Sequence, residues 1–105
     1  MSRTESLADY LRAQARKKLD RVEIRDRGRN ARSALALLDA TAHVESLPDD
    51  DPLLEALAEA GCFGPLGVGE FQAGEEIDRL VRFWESGEPG ELLAAIRALF
   101  QGLRV

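Results

Sequence analysis

Cys62 and His43, the one cysteine and the one histidine among 105 residues, are the pair that nucleophilic catalysis would use. Thiolate attack needs a base within hydrogen-bond reach, a third group to orient that base, and donors for the oxyanion. The sequence marks neither an orienting acid nor an oxyanion element. Cys62 follows Gly61 at an expected helix end, where the residue after a left-handed glycine packs back on the helix, here on Leu57. His43 lies near the C-terminal end of its helix, where a cation offsets the dipole. Both read as structural, and one of each is too few to close a zinc site.

Asp49-Asp50-Asp51 suggests calcium, but an EF-hand counted from Asp49 would need glycine at Leu54 and glutamate at Ala60. Helix capping explains the cluster instead. The glycines of residues 61–74 suggest a phosphate loop. A dinucleotide fingerprint opening at Gly67 would need glycine at Gln72, and a P-loop would need lysine after Gly74, where Glu75 and Glu76 stand. Two carboxylates at a helix start repel phosphate. The remaining acids lack an apolar setting that would raise a pKa for acid–base work. No metal, cofactor or catalytic role is implied, and the chain is expected not to be an enzyme.

The feature with functional force is a basic stripe. Residues 1–32 carry ten Lys/Arg and five acids, a net +5, whereas residues 33–105 net −10 and the whole chain −5. On a helix continuing past residue 25, Lys18, Arg21, Arg25, Arg29 and Arg32 fall at steps of three and four on one face. Clustered cations are what phosphate binding requires, so nucleic acid or an acidic protein surface is the implied partner. Tyr10 is the only aromatic near the stripe, which argues against single-strand binding by base stacking.

The elements that would hold these residues read as helices. Leu7, Leu11, Ala15, Leu19 and Val22 recur at four- and three-residue steps, predicting a helix from about Thr4 to Arg25. Such a helix, over 20 residues and roughly 30 Å long, would project beyond the rest of the body. Its exposed apolar stripe, Leu7, Leu11, Leu19 and Val22, would then be covered by a partner or a second copy. Arg21–Arg25 also alternates polar and apolar as a short strand does, and Gly28 marks a break or kink. Residues 31–47 are apolar on most sides, which predicts the buried central helix of a bundle. Pro48 ends it, Asp51 and Pro52 start a third helix to about Ala60, and residues 61–74 form a loop anchored by Phe63, Leu66, Val68 and Phe71. A fourth helix covers Gly74 to Ser86 and a fifth runs from Pro89 through Leu103, joined closely enough to be antiparallel neighbours.

The fold class is therefore all-α: one domain over 1–105 with about five helices, a basic arm over 1–30 and an acidic body over 31–105. The order of a strand at Arg21–Arg25 and helices over 31–47 and 52–60 resembles a ribbon-helix-helix regulator, which implies dimerisation through paired strands that read DNA. A full helical pattern ahead of the strand and three aspartates at a helix start depart from that plan. The leading expectation is a non-catalytic interaction protein, an adaptor, small subunit or self-associating module with a homo-oligomeric or other protein partner. The alternative is a small DNA-associated regulator, an antitoxin or accessory repressor. Apolar runs are too short to span a membrane. A lone cysteine and the lack of an apolar leader point to the cytoplasm.

Overall fold

The computed structural model describes residues 2–85 and 87–101. Ser2 opens helix α1, Arg3–Leu19, by accepting the Glu5 amide on its side chain, and Arg16, Lys17 and Lys18 complement the dipole in the last turn. The helix stops at Leu19 rather than near Arg25, because side chains take over the hydrogen bonding that a longer helix would need. The Asp26 carboxylate accepts from the Glu23 and Gly28 amides and from Asn30 Nδ2, which also donates to the Arg21 carbonyl. A 3-10 turn, Ile24–Asp26, follows, and Arg27 and Gly28 are both left-handed, with φ of 57° and 78°. Residues 21–25 are thus neither strand nor α-helix, and the ribbon of a ribbon-helix-helix protein is not formed.

The reversal sends α2, Arg29–Glu45, back along α1. Thr4 Oγ1 bonds Asp49 Oδ1 at 2.6 Å at one end of the pair, and Asn30 reaches Arg21 at the other. With 17 residues, α1 spans about 26 Å and lies along α2 instead of projecting as a free arm. Leu7 and Leu11 are fully buried in the common core with Leu37, Val44, Leu54 and Phe63. The expectation that they form an exposed interface is corrected by this packing. The expectation that α2 is buried on most sides is corrected as well. Its Ala34, Leu37, Thr41 and Val44 side is buried, but Leu35 and Leu38 face outward, because among the described residues no other helix covers that side.

Asp51 caps α3, Pro52–Glu59, by accepting the Leu53 amide at 3.0 Å. The helix ends as the sequence predicts: Gly61 is left-handed at φ 86°, and the Cys62 amide returns to the Leu57 carbonyl at 3.0 Å. The glycine-rich loop is tied at its base by Gln72 N to Cys62 O and Gly69 N to Phe63 O, each 2.7 Å. Phe63 and Phe71 anchor it, their rings 5.6 Å apart, and the Tyr10 ring packs tilted against Phe71 at 5.0 Å. Leu66 and Val68 are exposed and anchor nothing, since they sit at the tip beyond those base ties.

Helix α4, Gly74–Arg82, ends before Ser86. Side chains take the carbonyls at its end: Lys18 Nζ donates to Arg82 O, and Ser33 Oγ to Trp84 O. Helix α5, Pro89–Gln101, buries Leu92, Leu93 and Ile96 against α2, α3 and α4. Leu103, expected in the same helix, lies outside the described residues, as does Ser86. The five helices make one small all-α domain around a single core.

Candidate interaction surface

The break after α1 takes the predicted basic stripe apart. Lys18, Arg21 and Arg29 still meet, joined by Arg82 from α4, around a cleft of about 250 Å³. Asp26 and Glu85 line the same cleft, and Arg29 pairs with Glu85 at 3.6 Å. Desolvation, reinforced by the nearby Arg21 and partly offset by Glu85, lowers the Lys18 ammonium from its ordinary value. Its proton is already engaged in capping α4. Arg82 in turn holds Asp78 at 2.8 Å. Arg25 stands apart on the 3-10 turn, and Arg32 donates to the Arg27 carbonyl at 2.9 Å. Three of the five predicted cations share one place, where Lys18 and Arg29 already hold partners within the chain.

Of the predicted interface residues, Leu7 and Leu11 are core, whereas Leu19 and Val22 are half exposed at 50% and 47%. The structure adds Leu35 and Leu38, at 61% and 38%. Thr4 Oγ1 to Leu47 O at 3.2 Å and Asn30 Nδ2 to Arg21 O at 2.9 Å set the register of the two helices, and the longer Arg12 and Glu45 side chains reach diagonally across their outer edge at 2.7 Å. Leu19 lies one heptad after Arg12 and Leu38 one heptad before Glu45, so both fall on the outer face of the α1–α2 pair that carries this ion pair. Val22 and Leu35 follow three residues further toward the reversal. Ala31 and Ala42 extend the stripe along α2. Sequence reasoning missed Leu35 and Leu38, although Ala31, Leu35, Leu38 and Ala42 alternate at four- and three-residue steps. That is a second apolar stripe on a helix whose first stripe already fills the core.

Burial pushes the Cys62 thiol up, which leaves it less nucleophilic, and His43 projects from the exposed side of α2. Cys62 borders a 380 Å³ hollow whose opposite rim carries Glu75 and Glu76. Asp49 is held below the usual carboxylate range by the Thr4 hydroxyl and amide, so it fastens the start of α1. Asp26 is likewise lowered: partial desolvation opposes this, but the Asn30, Glu23 and Gly28 donors together outweigh it. Among the described residues no group of three His, Cys, Asp or Glu is gathered as a metal site, and no helix is long and apolar enough to cross a membrane.

Set against protein-family models, curated proteins and solved structures, the chain matches none.

Proposed function

We propose that the protein is a non-catalytic helical interaction module that docks a protein partner on the outer face of α1 and α2. The observation that carries this reading is the group of large apolar side chains left exposed along α2 and at the end of α1: Leu35, Leu38, Leu19 and Val22. Scattered exposed leucines are ordinary on a soluble surface, but Leu35 and Leu38 on one face of α2, with Leu19 and Val22 exposed at the end of α1, mark a contact site. The patch holds no ionisable group able to do chemistry, which supports binding over catalysis. A cytoplasmic setting belongs to the same reading and draws support from the single unpaired Cys62.

The DNA-associated regulator, whether antitoxin or accessory repressor, draws on the cleft of Lys18, Arg21, Arg29 and Arg82. Asp26 and Glu85 inside that cleft weaken its hold on phosphate, so it stands second. Photocrosslinking tests the first reading, with p-benzoylphenylalanine placed at Leu38 and, as a control, at exposed Glu70. Crosslinks from position 38 to one discrete polypeptide, lost in a Leu35→Glu background, are the expected result. No crosslink from position 38, or the same products from both positions, would overturn it.

A further inference from the structure

We propose that the partner is a second copy of this chain, seated on the same face with its α2 antiparallel to the first. The inference rests on the docking reading above and adds the occupant and its geometry.

A two-fold axis generates one orientation in which the α2 face complements itself. The edge of α2 that carries Asn30 and Glu45 meets α1, through Asn30 Nδ2 to Arg21 O at 2.9 Å and Glu45 to Arg12 at 2.7 Å. The seam of Ala31, Leu35, Leu38 and Ala42 lies beside that edge, and exposed Arg32 and Asp39 line the other side of the seam. An axis crossing the helix midway between Leu35 and Leu38 sets Leu35 on the partner's Leu38, and Ala31 over the partner's Ala42. The small alanines at both ends let the helix backbones approach closely.

Charge selects this orientation. Antiparallel helices pack like edge against like edge, so Arg32 falls beside the partner's Asp39, and the symmetry repeats the pair. Parallel helices would set the Arg32 and Asp39 edge against the partner's α1 edge and form neither pair. In the single chain Arg32 folds back to donate to Arg27 O beside Gly28, and in the dimer it turns from that carbonyl to the partner's carboxylate, a charge-assisted bond in place of a neutral one.

The test is the solution mass of the intact chain by sedimentation velocity, from about 1 µM to about 1 mM. The wild type is expected to reach dimer mass. Arg32→Asp and Asp39→Arg each turn two attractions into two repulsions, and each is expected to weaken the dimer about tenfold. An equimolar mixture of the two variants regains both attractive pairs, but only across the two chains, and is expected to return to wild-type affinity. Helicity by circular dichroism confirms that each variant folds, and Leu38→Glu supplies a monomeric reference. A wild type that stays monomeric throughout would overturn the proposal. So would a dimer indifferent to both charge reversals, or one that the mixture does not restore. If position 38 still crosslinks a different polypeptide, the docking reading survives the loss of the dimer. If it crosslinks nothing, both fall.

Discussion

Arg12 Nη2 stands 2.7 Å from Glu45 Oε1, an ion pair across the outer edges of α1 and α2 that starts near the middle of α1. On the surface such a pair is worth at most about 1 kcal/mol. Its larger consequence is positional. It marks the outer face shared by two antiparallel helices, and Leu19 and Leu38, each one heptad from the pair, belong to that face, which neither helix pattern shows alone.

Leu11→Ala separates core from interface within the original stripe. Leu11 is fully buried, so its truncation is expected to cost about 2–5 kcal/mol by denaturant unfolding at fixed low concentration. Leu35→Ser at the same concentration should change stability by less than about 0.5 kcal/mol, because the residue is 61% exposed. A large loss at Leu35 in dilute monomer would show that α2 is covered within its own chain.

The helical class, the helix starts at Asp51 and Pro89 and the end at Gly61 were legible in the sequence because each depends on local chemistry. A proline cannot continue a ladder, and a left-handed glycine closes one. The break between Leu19 and Arg29 was not legible, since it arises from Asp26 and Asn30 gathering amides and carbonyls of a chain already reversed. Periodicity could equally assign Leu11 to a core or to a partner. Only the return of α2 along α1 decides, and that return is a tertiary fact.

The reversal itself depends on two consecutive left-handed residues, Arg27 and Gly28. Gly28→Ala brings a Cβ to 3.3 Å from the Arg32 guanidinium and strains a φ of 78°, so a loss of about 1–2 kcal/mol is expected. Arg27→Gly relieves the neighbouring φ of 57° and should leave stability nearly unchanged or slightly raised. Thermal unfolding of both variants checks the pair. Equal destabilisation by the two would show that the Arg27 side chain, rather than the backbone, holds the turn.

Tyr10 and Asp78 make stability depend on pH at both ends of the scale. The Tyr10 hydroxyl donates to Asp78 Oδ1 at 2.9 Å and lowers the Asp78 carboxyl below its ordinary 3.8. Burial, then Asp78 itself, raises the phenol above 10.0. A carboxyl lowered by folding contributes stability above its unfolded value, and loses it as pH falls through the folded one. A phenol raised by folding contributes fully below its unfolded value, and loses that stability as pH climbs through the folded one. Tyr10→Phe should therefore flatten the alkaline limb of a stability–pH profile and soften the acid limb. Asp49, also lowered, keeps part of the acid limb in place. An alkaline limb unchanged in Tyr10→Phe would place that titration elsewhere.

Duplex DNA distinguishes the two functional readings through salt. Counterion release makes the logarithm of affinity fall with the logarithm of salt concentration at about 0.9 per neutralised phosphate. A functional stripe of Lys18, Arg21, Arg25, Arg29 and Arg32 would engage about five phosphates, giving a slope near −4.5. In the fold, Lys18 caps α4, Arg29 faces Glu85, and Arg25 lies away from the cleft. Arg21 is left with few neighbours able to act with it on one strand. Fluorescence anisotropy at 50 mM and 200 mM salt is therefore expected to give weak binding with a slope shallower than about −2. Arg21→Glu, Arg25→Glu and Arg29→Glu together should then change little beyond that weak term. Micromolar binding with a slope of −4 or steeper, abolished by the triple substitution, would reverse the ranking. It would mean that the cations leave their internal partners for phosphate, and that α2 presents its N-terminal end to the duplex.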